Sequence, residues 1–276
     1  MENASQALAR KDSQAAAKEQ QKAIEQLKKA LDKVQDKSDR TEPQDPQQVK
    51  KLATLRQMAE GVLRREEGVR NQTEPLAAQF EKIGAGNPPL SLTIELQGLA
   101  SEQGSLVTNV AAMLTILDED ATTVLVPLLV RQIHEDMTLV RDLLLKNVAD
   151  RTVLGMEDTA IAGLKDLLDI LVEVEKKKQA KGSQGGGGGK SKPKKGGGGT
   201  QQPLMPETAE LKLVRKWQER LTRSTEALIK RLDANSEGTV IREQLRKHAD
   251  RQKEIADSVN RLLGEAETSN DALEVK

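Results

Sequence analysis

The sequence predicts an all-α protein built in pieces: an N-terminal helical hairpin plus a helical bundle, then a flexible Gly/Lys-rich linker and a C-terminal antiparallel coiled-coil hairpin. Three observations predict it. Apolar residues recur at alternating three- and four-residue steps over most of the chain, the period of one helix face. Strand signals are confined to Val124-Leu125-Val126 and short fragments, too little for a sheet. The helical pattern also stops between Lys176 and Pro206, where lysines stand among glycine runs with no acid at all.

The N-terminal piece spans residues 1–40. Ala4, Ala7 and Leu8 precede Lys11-Asp12-Ser13, where Asp12 or Ser13 can cap a second helix that carries Ile24, Leu27, Leu31 and Val34. A short helix, a turn and a longer helix make one hairpin, similar to a single tetratricopeptide-like unit without its usual aromatics. Thr41 to Pro46, with two prolines, ends it.

An acidic bundle is expected over 47–175. Leu52, Leu55, Ala59, Val62 and Val69 mark a long helix that stops before Asn71-Gln72-Thr73, and Gly84 to Pro89 is the next break. Leu106, Val110, Leu114 and Leu117 form a stripe ended by Asp118-Glu119-Asp120, and Pro127 suits the first turn of the following helix. That helix carries Leu129, Ile133, Met137, Val140, Leu144 and Val148. Arg151 to Gly155 reads as a turn, after which Ile161, Leu164, Leu168 and Leu171 open the last helix. Short connections favour antiparallel neighbours, so these helices should pack as a bundle.

Charge separates the pieces although Lys plus Arg and Asp plus Glu balance at 43 each. Residues 1–175 hold 29 acids against 21 bases, and residues 207–276 hold 14 of each. All eight lysines between them, Lys176, Lys177, Lys178, Lys181, Lys190, Lys192, Lys194 and Lys195, stand on the acid-free stretch 176–206. Glycine raises the entropy cost of ordering and like charges repel, so 176–206 is expected to be a disordered tether.

The hairpin over 207–267 has the cleanest heptads. Leu211, Val214, Gln218, Leu221, Thr225, Leu228 and Leu232 precede a turn at Asp233 to Gly238, and Ile241, Leu245, His248, Gln252, Ile255, Val259, Leu262 and Ala266 follow. Pairing Leu232 with Ile241 puts Thr225 opposite His248, so the polar seam residues gather in one layer of a hairpin about 40 Å long.

The central and later segments resemble a family of coiled-coil-rich bacterial proteins, found mainly in planctomycetes, that has no assigned activity. The residues that carry the likeness are Leu99-Ala-Ser-Glu-Gln-Gly104, Leu114-Thr-Ile-Leu-Asp-Glu-Asp120, His134-Glu-Asp-Met137, Leu164-Lys-Asp-Leu-Leu-Asp-Ile-Leu171 and Ala209-Glu-Leu-Lys-Leu-Val-Arg215. Longer relatives place a leader or membrane segment ahead of this region, which implies the periplasm or cell envelope if Met1 is internal to a longer chain. As written, the start lacks a signal-peptide core and the expectation is cytoplasmic.

Chemistry is sparsely provided for. The absence of Cys excludes disulfides and thiolate sites, and Phe80 and Trp217 are the only aromatics. Gly185 to Ser191 looks like a phosphate loop but has Gln184 where the pattern needs glycine, and neither a strand nor a periodic helix flanks it. His134, Glu135 and Asp136 are consecutive, and consecutive helix residues point about 100° apart, so they cannot converge on one ion. No catalytic residue, cofactor or small-molecule substrate is expected. The expected function is a non-catalytic scaffold or adaptor for protein partners, self-association included, in a setting such as a cell-envelope assembly. Trp217 is the candidate anchor. The alternative is weak contact with anionic membrane or nucleic acid through Lys190, Lys192, Lys194 and Lys195.

Overall fold

The computed structural model describes residues 21–25, 27–29, 31, 46–84, 88–183, 203–233 and 238–274. Among them the regular structure is all α-helix, as the periodicity requires. The long helices are α1 (Pro46–Ile83), α2 (Leu90–Asp120), α3 (Leu125–Leu145), α4 (Arg151–Ser183), α5 (Glu207–Asp233) and α6 (Gly238–Glu274). They divide between two compact units: Pro43–Met205, and a discontinuous unit made of Met1–Glu42 with Pro206–Lys276.

The first of these is a four-helix bundle. Each helix packs on its neighbour in sequence, and α4 closes on α1. Ion pairs and hydrogen bonds fix the directions. The start of α1 meets the end of α2 through Gln48 and Asp120 at 3.0 Å, while Arg65 further along α1 meets the earlier Glu102 at 2.7 Å. Likewise Arg56 pairs with Glu175 and Arg70 with Asp158, both at 2.8 Å, so α1 and α4 run antiparallel. The core is aliphatic, with Leu52, Leu96, Leu106, Met137, Leu144 and Leu164 fully enclosed.

Local chemistry sets the ends. Gly84 takes a positive φ of 62° after α1, a conformation glycine adopts without a side-chain clash, and its N–H bonds Phe80 O. Ala121 caps α2 in the same left-handed region at φ 52°, where a Cβ is a cost. Asp150 starts α4 by accepting from the N–H groups of Thr152 and Val153 at 2.8 and 3.0 Å.

Three boundaries differ from the sequence expectation. First, α1 does not stop at Asn71 but runs through Thr73 and Pro75 to Ile83. Thr73, Leu76 and Ala77 are buried there, so tertiary packing outweighs the loss of one helical hydrogen bond at Pro75. Second, Arg151 to Gly155 is the first turn of α4 rather than a connection, because Asp150 supplies the cap. Third, Lys176 to Ser183 extend α4. A formed helix gains one backbone bond per added residue, and Lys177 also pairs with Glu173 one turn back at 2.8 Å.

The acid-free stretch returns to the unit it leaves. Leu204 and Met205 are buried and belong with the bundle. Leu204 N donates to Thr122 Oγ1 at 2.9 Å, and Lys178 Nζ donates to Leu204 O at 3.0 Å. Residues 184–202, with Lys190, Lys192, Lys194 and Lys195, lie outside the described residues.

In the other unit α5 packs on α6. The seam residues Leu211, Val214, Gln218, Leu221, Thr225, Leu228, His248, Gln252, Ile255 and Val259 are all buried. Leu213 and the candidate anchor Trp217 are buried too. Two helices alone cover one stripe each, so this demands a further apolar layer. The described helical residues Ala23, Leu27 and Leu31, buried and part of the same unit, offer one. The turn expected near Lys11 to Ser13 lies outside the described residues.

Candidate functional site

The sites with chemical content are polar layers set into apolar seams. On α1 the buried residues Gln48, Leu52, Leu55, Ala59, Val62, Glu66, Val69, Thr73 and Leu76 alternate steps of four and three. Glu66 and Thr73 therefore occupy core positions. By the same spacing Gln103 sits in the seam of α2, between Leu99 and Leu106, and Glu157 in that of α4, between Val153 and Ala160.

These four form two neighbouring layers. In one, Gln103 Nε2 donates to Glu66 Oε1 at 3.2 Å. In the next, Thr73 Oγ1 lies 2.8 Å from Glu157 Oε1 and 3.0 Å from Val69 O. Glu66, Gln103, Glu157 and Thr73 are each fully enclosed. Among the described residues, Oε2 of both glutamates has no hydrogen-bond partner. A buried ionised carboxylate with an unpaired oxygen is costly, and the groups respond by holding their protons. Burial, reinforced by the charge of Glu157 and opposed by the Gln103 bond, pushes Glu66 up to about 8. Burial pushes Glu157 up to about 7, with Thr73 and Arg70 pulling it back and Asp158 adding to the rise. The acid form also satisfies the geometry. A hydroxyl has one hydrogen and a carbonyl only accepts, so Thr73 can donate to Val69 O while protonated Glu157 donates to Thr73 Oγ1.

A third layer closes the other end of the bundle. Asp120 accepts from Gln48 Nε2 and Lys51 Nζ, both at 3.0 Å, and from the Thr122 hydroxyl. Burial alone would raise Asp120, but these three donors outweigh it and hold the carboxyl below its ordinary value. The same Thr122 receives Leu204 N, so this ionised aspartate anchors the returning chain.

The hairpin layer is the one the seam pairing anticipates. Thr225 Oγ1 lies 2.9 Å from His248 Nδ1 and donates to Leu221 O at 2.8 Å. Gln252 Nε2 donates to Gln218 Oε1 at 2.9 Å. Burial, with the nearby charge of Arg251, lowers His248 to about 4, so the ring is neutral near pH 7.

No described group of three or more His, Asp or Glu side chains could hold a metal ion. The two core glutamates come with an amide and a hydroxyl, a set that stores protons at near-neutral pH. The surface offers a groove of about 640 Å³ between α1 and α2, lined by Asn71, Pro75 and Gln79 of the first and Glu95, Gly98 and Glu102 of the second. Near it the first turns of α2 expose Leu90 and Ile94, 74% and 58% accessible. No described helix is long and apolar enough to cross a membrane.

The sequence reading placed His248 and Thr225 together and missed Glu66, Gln103 and Glu157. The signal was available: Val62 and Val69 are seven residues apart, and the missing step between them is Glu66. Trp217 is an interior residue, 4% exposed. No family model, curated protein or solved structure matches this chain.

Proposed function

We propose that the chain is a non-catalytic helical scaffold that holds protein partners. One observation carries this reading: Leu90 and Ile94, large apolar residues one turn apart, stand exposed at the start of α2 beside the Pro75–Gly98 groove. Exposed apolar patches rimmed by polar residues are where soluble proteins meet one another. The groove itself is lined by the polar residues Asn71, Gln79 and Glu95. The buried polar layers support the reading in a second way, because they spend their polar groups on register and leave the outer faces to vary.

Leu90→Lys with Ile94→Lys tests it, since both side chains are already in water and the bundle should keep its stability. Proteins that co-purify with the parent chain should be lost from the double variant while its circular dichroism and melting stay unchanged. Equal recovery of the same proteins by parent and variant removes this face as the partner site.

A further inference from the structure

We propose that the Glu66–Gln103 and Thr73–Glu157 layers form a proton-dependent latch: the middle of the bundle is closed while both glutamates hold their protons, and it loosens along α1 and α4 when they are released. The inference is independent of any partner. It stands first on placement. Glu66 and Glu157 occupy seam positions on two helices that pack directly on each other, both fully enclosed, and each has one carboxyl oxygen with no donor among the described residues. Such an oxygen is tolerable on a neutral acid and costly on an anion.

The surroundings offer little to hold the anions. On α1, Arg65 is engaged by Glu102 of α2, and Arg70 is shared between Glu74 and Asp158 of α4. Lys165 of α4 pairs with Glu67 of α1 at 2.8 Å. From α2 the core receives the neutral Gln103. On α3, which packs against α2 and α4, Met137, Val140 and Leu144 fill the core, Arg141 is ion-paired with Asp142, and His134 lies further along. Among the described residues, Arg70 acts on Glu157 through its charge and Asp158 opposes it.

The direction of the response follows from proton counting. An unfolded glutamate releases its proton near 4.5, whereas the folded bundle keeps one proton to about 7 and the other to about 8. Above 4.5 the folded state therefore binds more protons than the unfolded chain, and stability falls as pH rises. The fall is about tenfold in the unfolding constant per pH unit for each proton so retained. It is complete once both groups have ionised in the bundle. Asp120 and Glu102 are held below their ordinary values and titrate beneath this window.

The experiment follows amide hydrogen exchange in the full chain, by mass spectrometry of peptides covering Val62–Thr73 and Val153–Leu164, between about pH 6 and pH 9. After correction for intrinsic exchange, protection in both segments should drop by about tenfold or more. Glu66→Gln with Glu157→Gln, which fixes the neutral shape and leaves His134 in place, should abolish the drop. Protection that stays constant in the parent, or a double variant that retains the whole drop, overturns the latch. Should the double variant fail to fold, infrared spectra of the parent decide. Buried acids show a protonated carboxyl band near pH 6 that vanishes by about pH 9, and its absence at the lower pH overturns the proposal.

Discussion

The bundle and the hairpin solve the same local problem with the same threonine device and opposite protons. Thr73 lies back on Val69 O in α1, and Thr225 lies back on Leu221 O in α5, each spending its hydrogen on its own helix. The lone pairs that remain face Glu157 in one unit and His248 in the other. A buried carboxyl is neutral with its proton on, so the bundle is strongest at low pH within its window. A buried imidazole is neutral with the extra proton off, so the hairpin is strongest at high pH. Burial pushes both groups toward neutrality, and only the chemistry of the acid decides which way pH acts. Two units of one chain therefore respond to the same change of pH in opposite senses.

The sharpest way to break that contrast is to remove His248. Its value falls from about 6.5 unfolded to about 4 folded. The unfolded chain binds the extra proton first, so stability is full above 6.5 and is lost as pH drops toward 4, by about 3 kcal/mol. Trp217 lies on α5 and the chain has no other Trp and no Tyr, so its fluorescence follows the hairpin unit alone. His248→Leu should make that melt independent of pH between 4 and 6.5, and Thr225 stays satisfied by Leu221 O. A variant that melts lower than the parent and still weakens in acid would mean that His248 is not the titrating group.

A smaller effect comes from the matching threonine of the bundle. Thr73→Val keeps the shape and deletes the hydroxyl that hydrogen-bonds Glu157 Oε1, at a cost of about 1–2 kcal/mol. Exchange protection in the bundle should fall while the Trp217 melt stays where it was. If both signals shift together, the two units are not separate in stability.

The smallest change serves as the control without a proton. Ala121 holds a left-handed backbone at φ 52°, and Ala121→Gly relieves it. The bundle should gain about 0.5–1 kcal/mol by the same amount at every pH. A gain that depends on pH would tie this turn to the polar layers.

Why one unit's layer was legible in the sequence and the other's was not is itself informative. In the hairpin, clean aliphatic heptads frame Gln218, Thr225, His248 and Gln252, so the polar residues announce themselves as seam residues. In the bundle the heptads pass through Glu66 and Glu157, and glutamate reads as a solvated charge unless its proton is counted. Leaving Glu66 out of the stripe hid the continuation through Thr73, and α1 was expected to end near Asn71. Lys176 opens the acid-free, glycine-rich stretch and so reads as linker, although the helix runs on to Ser183 and Lys178 reaches back to Leu204. Asp150 as a cap was readable in principle, but Arg151-Thr-Val-Leu-Gly155 offers a competing turn at its glycine.

The discontinuous unit has a consequence for how the chain is made. Its two parts, Met1–Glu42 and Pro206–Lys276, are separated in sequence by the whole of Pro43–Met205. A ribosome adding roughly 5–20 residues per second delivers the first part on the order of ten seconds before the second. During that interval the early helix, with Ala23, Leu27 and Leu31 on its apolar face, lacks the α5–α6 hairpin with which it shares a unit. The four-helix bundle, continuous in sequence, is complete first. The nascent chain thus passes through a stage in which every residue of the bundle has been made while the amphipathic helix of Ala23, Leu27 and Leu31 still waits for the rest of its own unit.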